Sequence, residues 1–339
     1  IKNENSEISS INKFALKINK KFKIKELNYE AKINIDKVKI ENKNEYLKNI
    51  FAINDDLILK QNSITLSFLG IPNKNKKTNY FKIMSSGQYG SNDKFDKYEI
   101  FLEKKNFLTN IKTKLNIEKN LLILKILDFK KKSDKISFLE TNHLITENNT
   151  HIIKKINFQS SENSIVIEDI ELSKENKISR FKELKVNLVN DNNIKNYFKI
   201  SNKNNLYLIS GDIIDGSSIL NQILDNSQSN KLKLIEKFNS SLKINIKIFY
   251  IDKNNFLINL KGPILYKNNE INYADLNAKF SNNQDITLKI RTNKFDERIT
   301  NLYTKYPKPL IKRYKFIKGF EEGVLDLQSI KKKIFQIPL

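Results

Sequence analysis

The sequence predicts a mainly β fold: a long, curled antiparallel sheet forming an elongated groove, a repeating β-groove, with two short helices. Three observations predict it. Apolar and polar residues alternate with the two-residue period of a strand from residue 11 to about 200, and again from 240 to 292. The runs are joined by short clusters of Asn, Lys, Asp, Ser and Gly, which are turn residues. Only two stretches, 215–227 and 307–317, change to helical spacing.

Taken in order, Phe14, Leu16, Ile18, Phe22 and Ile24 share one parity, and Leu27, Tyr29, Ala31, Ile33 and Ile35 the other. The change of parity predicts a turn or bulge near Lys25 and Glu26. Further strands are expected at Leu57–Leu69, Tyr80–Tyr89, Tyr98–Leu102, Thr113–Ile117, Leu121–Lys130, Lys135–Glu140, Lys154–Phe158, Ser164–Glu168 and Glu183–Val189. With only 8 Gly in the chain, Asn must take the place of Gly in many turns. In "DGSSILNQILDNS" a Ser cap precedes Ile219, Leu220, Ile223 and Leu224 at helical spacing. In "YPKPLIKRYKFI" Pro307 and Pro309 mark a helix start. Between the helices, "SSLKINIKIFYIDKNNFLINLKGPI" reads as a hairpin, with Leu242, Ile244, Ile246, Ile248 and Tyr250 on one face and Phe256, Ile258 and Leu260 continuing the row. Ile271–Phe280 and Asp285–Thr292 follow as strands. The organisation expected is a β-repeat segment over 1–200 and a β region with short helices over 201–339, joined in one continuous sheet. About 18 strands at ~4.8 Å would extend roughly 85 Å.

Composition narrows function by exclusion. The 339 residues include 61 Lys and Arg against 38 Asp and Glu, a net charge of +23, which raises polyanions as partners. Most of the excess is Lys, over-used together with Asn and Ile as A/T-rich codons would dictate, so nucleic acid is not the expected partner. Without cysteine there is no disulfide and no thiolate metal site, and two histidines, His143 and His151, do not build a metal centre. No cofactor is expected. The longest apolar run, Leu121–Leu127, is broken by Lys125 and falls short of the roughly 18 residues of a membrane span. The chain opens on Ile1 and is read as a segment of a longer protein, with any export signal or anchor in the missing part.

Motifs of catalysis are missing: there is no P-loop, G-x-G-x-x-G, G-x-S-x-G or H-E-x-x-H. An enzyme is not expected. His143 and His151 read as surface or turn residues, "SSGQYGSNDKFD" as a hairpin connection rather than an ion loop, and Asp55/Asp56 and Glu321/Glu322 as solvated charge. Lys308, Lys312 and Arg313, interleaved with aromatics, are the best local candidates for anion contact. The competing and favoured reading is an amphipathic helix that buries Leu310, Ile311, Tyr314 and Ile317 and leaves the lysines wet.

Over residues 180–330 the pattern resembles the C-terminal region of AsmA-like proteins, of the YhdP and TamB kind. The resemblance is carried by Gly211 and Asp215 ahead of a short helix, by Leu260 and Gly262 in an l-x-l-x-G stretch followed by the strand Ile271–Phe280, and by Lys308–Ile317 followed by Gly319, Gly323, Val324 and Leu325. It implies a periplasmic segment, anchored in the inner membrane through a part outside this chain. Its β-groove would shield phospholipid acyl chains between inner and outer membrane, in outer-membrane biogenesis. The partners implied are those acyl chains and components of both membranes. The lining expected on this reading is Leu242, Ile244, Ile246, Ile248, Phe256, Ile258, Leu260, Ile286, Leu288 and Ile290. The rival readings are a scaffold or assembly factor for envelope proteins whose apolar face is only core, and, behind it, a polyanion-binding module.

Overall fold

The computed structural model describes residues 6–41, 50–51, 55–71, 78–148, 150–173, 178–224, 239–267, 270–295, 297–314 and 322–331. The chain is mainly β and divides into two compact units, one of residues 1–124 with 129–176, the other of 125–128 with 177–339. Their boundary falls ahead of the expected one near 200. The strands at 183–203 carry the same alternation as those before them, so composition does not mark the break.

The first unit holds β1 (Ile8–Ile18), β2 (Ile24–Ile40), β3 (Leu57–Ile71), β4 (Thr78–Ser91), β5 (Lys94–Lys105), β6 (Leu108–Asn116), β7 (Ile123–Leu124), β8 (Phe129–Lys130), β9 (Ser137–Ile145), β10 (His151–Ser160) and β11 (Asn163–Leu172). Its sheet runs β1-β2-β3-β4-β5-β6-β9-β10-β11, and each neighbouring pair is antiparallel. The parity change is a hairpin: Phe14 faces Tyr29 and Leu16 faces Leu27 across β1 and β2. Its turn sits at 19–23, where the Asn19 carboxamide oxygen accepts the N–H groups of Lys21 and Lys23, and the bulge expected near Lys25 and Glu26 is present: Lys17 faces Glu26 and Ile18 faces Ile24, leaving Lys25 over.

Asn takes over from Gly at the turns. Asn92 with Asp93, and Asn204 with Asn205, have positive φ at both central positions of two-residue hairpins, the geometry that follows the sheet's twist. The expected strand at Leu121–Lys130 is not one. Two-residue β7 and β8 flank a 3₁₀ turn at Lys125–Leu127, with Asp128 at φ 48. Leu121 to Leu124 are apolar on both parities, so this stretch has no polar face to turn to water. Leu122, Leu127 and Phe129 are instead buried, and Phe129 meets Phe158 edge-on at 6.0 Å.

The second unit holds β12 (Ile178–Arg180), β13 (Glu183–Val189), β14 (Lys195–Lys203), β15 (Leu206–Asp215), α1 (Ser217–Leu224), β16 (Ser240–Tyr250), β17 (Phe256–Lys267), β18 (Glu270–Phe280), β19 (Asp285–Thr292), β20 (Arg298–Thr304), α2 (Lys308–Tyr314) and β21 (Leu325–Lys331). From β13 to β21 the strands follow one another in the sheet. The fully antiparallel expectation is corrected at one place: β15 and β16 are parallel, Ile209 beside Ile244 and Ile213 beside Ile248. A parallel pair needs a crossover, and α1 lies within it. The sheet is therefore mixed.

Both helices stand where the spacing placed them, within 215–227 and 307–317; the ends of those ranges lie outside the described residues, as does the Ile317 side chain. The cap of α1 is the Asp215 carboxylate, which accepts Ser217 N–H at 2.9 Å, rather than a serine. The Pro307 carbonyl accepts Leu310 and Ile311 N–H to start α2. Leu310 and Ile311 are buried and Lys312 is exposed, as the amphipathic reading requires. No helix among the described residues is long and apolar enough to cross a membrane.

Candidate functional site

Strand register brings the ten expected lining residues onto adjoining strands of the second sheet but not all onto one side: the register shifts between Ile258 and Lys261, so Ile258 stands opposite Lys279 while Ile286 stands opposite Ala278. Ile246 faces Leu260, Ile248 faces Ile258 and Tyr250 faces Phe256 across β16 and β17. The row Leu242–Ile264–Ala274–Ile290 crosses β16, β17, β18 and β19, and Leu276–Leu288–Leu302–Leu327 crosses β18 to β21. Sequence reasoning missed Ile264, Leu302 and Leu327, although the same alternation marks them.

Burial splits the ten. Ile246, Leu260, Ile286 and Ile290 are 1–8% exposed and lie in the core of this unit. Leu242, Ile244, Ile248, Phe256, Ile258 and Leu288 are half-exposed, while the intervening Lys243, Asn245 and Lys247 are exposed to water. The face is thus open along part of its width and closed elsewhere. Closure is clearest beside Ile286, whose partner Thr304 leads through buried Pro307 into α2.

The first unit carries a second apolar row that the expectation did not single out. Ala31, Leu66, Ile83, Leu102, Ile111, His143, Ile153 and Ile170 stand opposite one another in turn across eight strands. Ala31 and Ile170 are buried, and the six between them are half-exposed. Each strand of the row is hydrogen-bonded to its neighbours in this one sheet. At about 4.8 Å per strand the row is roughly 34 Å long.

A polar step interrupts it. His143 Nε2 lies 3.2 Å from His151 Nδ1, the rings 5.1 Å apart, so the two histidines are neighbours on adjacent strands rather than turn residues. Burial, and secondarily the His151 charge, hold the His143 imidazole below its ordinary value of 6.5. The unfolded chain then binds the proton first as pH falls. Stability is full above 6.5 and is lost as pH falls from there through the lower folded value. Urea midpoints should fall between pH 7 and pH 5, and His143→Gln should flatten that fall; an unchanged slope in the variant would remove the assignment.

The opposite side of the first sheet is polar. A depression of about 640 Å³ there is lined by two rows, Ser63–Ser86–Glu99–Lys114–Glu140–Asn157 and Thr65–Met84–Phe101–Lys112–Asn142–Lys155. Lys114 pairs with Glu140 at 3.6 Å and Lys82 lies 5.3 Å from the centre of the Phe101 ring, so charge on this side is met within the sheet.

Of the three anion-contact candidates, Lys308 and Lys312 stand on α2, and Arg313 is turned inward. Its guanidinium donates to the Ser217 carbonyl at 3.0 Å and to Asn221 Oδ1 at 2.8 Å, fastening α2 to α1. Among the described residues no three acidic or histidine side chains converge to hold a metal. No protein-family model, curated protein or solved structure matches this chain.

Proposed function

We propose that the chain is a periplasmic lipid-transfer segment whose sheets shield phospholipid acyl chains on their way between inner and outer membrane. One observation carries this reading: apolar rows pass from strand to strand in register and stay half-exposed. Ordinary sandwiches bury such rows under a second layer. Acyl chains gain about 0.8 kcal/mol per methylene on leaving water, so an open apolar row offers them a track without any catalytic group. The AsmA-like pattern over 180–330 points the same way.

Ile244→Asp is the direct test. Ile244 is half-exposed and stands between Ile209 and Gly262, so a carboxylate there reaches water while charging the track. Phospholipid recovered with the purified protein should fall several-fold in the variant, with the far-ultraviolet dichroism unchanged. Equal phospholipid in both proteins, or none in either, contradicts the proposal. The second reading, a scaffold or assembly factor with an ordinary core, is favoured by the burial of Ile246, Leu260, Ile286 and Ile290 under the protein's own atoms.

A further inference from the structure

The chain has two histidines, and the fold brings them together. β9 and β10 form a hairpin, with Thr146 N–H donating to the Thr150 carbonyl at 3.1 Å across its turn. Register sets His143 opposite Ile153 and His151 opposite Ile145, so the imidazoles take diagonal positions on one side of the sheet. His143 Nε2 and His151 Nδ1 stand 3.2 Å apart, and both rings are half-exposed. Ile111 on β6 faces His143 from its other side. Counted by type, two histidines fall short of a metal centre; placed by the sheet, they supply half of one. Two nitrogens held by one tetrahedral zinc at 2.0–2.1 Å lie about 3.3–3.4 Å apart, close to the spacing this hairpin already imposes.

We propose that His143 and His151 chelate a divalent transition-metal ion of the zinc kind, through Nε2 of the first and Nδ1 of the second, with water in the remaining positions. Nitrogen donors select such ions over Mg²⁺ and Ca²⁺, which take oxygen ligands. Among the described residues no third acidic or histidine side chain joins the pair, so the coordination sphere stays open to an outside ligand. Chelation needs a lone pair on both facing nitrogens. The proton that bridges them therefore moves to the other nitrogen of its own ring, His143 Nδ1 or His151 Nε2, and two neutral rings lose none. The inference stands on the two rings and does not rest on acyl-chain binding.

Zinc chloride is titrated into the full, untagged chain at pH 7.5, by calorimetry and with the imidazole nitrogen resonances followed by NMR. Saturable binding of one zinc per chain is expected, with metal-induced shifts at His143 Nε2 and His151 Nδ1. His143→Gln and His151→Gln should each weaken binding by about tenfold or more. The resonances are read on the unaltered chain, so the assignment does not depend on how the variants fold. Magnesium in about a hundredfold excess should leave the zinc in place. Absence of saturable binding, zinc bound without shifts in both rings, undiminished affinity in either variant, or displacement by magnesium would overturn the proposal.

Discussion

Replacing Asp96 with Ala should destabilise the first unit by about 3–5 kcal/mol, the range for removing one partner from a buried charged network. Asp96 sits on β5, 5% exposed. Its two oxygens accept Glu118 N–H at 3.1 Å, Lys119 N–H at 3.0 and 3.1 Å, Asn120 N–H at 2.8 Å and Asn120 Nδ2 at 2.8 Å. The carboxylate thus organises the loop after β6. Beside it, Lys131 is buried and donates Nζ to the carbonyls of Glu118 and Lys132 at 3.0 and 2.8 Å. Burial lowers the Lys131 pKa, and Asp96, Asp134 and Glu118 oppose that shift. Removing Asp96 leaves several buried donors without an acceptor and takes one counter-charge from the lysine. Asp96→Asn should recover only part of the loss, since it restores one acceptor and adds a donor. Hydrogen exchange of β5 and β6 amides reads the effect locally; a loss below about 1 kcal/mol for Asp96→Ala would show that the network is not what holds this end of the sheet.

Gly262→Ala should cost the second unit about 3 kcal/mol, at the upper end for a residue forced into backbone space that L side chains avoid. Gly262 lies in β17 at φ 144, and an added Cβ would fall 1.8 Å from the Asp275 carbonyl oxygen on β18. That carbonyl belongs to the backbone and cannot swing aside. Arg291 fixes the neighbourhood further, donating to the Ala274 carbonyl at 2.7 Å and to the Asp275 carboxylate at 3.0 Å. A stability equal to that of the unaltered chain would mean that β17 and β18 separate there without penalty. The same position closes the l-x-l-x-G stretch, so its glycine has a steric reason independent of any ligand.

What the sequence made legible is what depends on periodicity and on turn chemistry. The hairpin of β16 and β17 is where alternation placed it, and Asn92, Asn106, Asn204 and Asn205 occupy positive φ as the scarcity of glycine requires. The parallel pairing of β15 with β16 was not legible, because alternation is the same whichever direction a neighbour runs. Nor was the Asp96 site, whose partners lie 22–24 residues away on a loop without a motif. The split among the lining candidates was hidden for a related reason. Ile244 and Ile246 are equivalent by parity, but one is half-exposed and the other 1% exposed, and cover is set by tertiary neighbours that a local pattern does not name.

That split also fixes where the central claim is tested. Ile246 is buried and would report on protein neighbours under either reading, so the informative pair is Ile244, half-exposed on the apolar side, and Lys243, exposed on the other. A photo-crosslinking amino acid is placed at each position in turn, the protein is made in a cell envelope, and adducts are identified by mass. The account predicts phospholipid adducts at Ile244 and none at Lys243. Protein-only adducts at Ile244, or equal lipid labelling at both positions, would contradict it and leave the apolar face as an ordinary core.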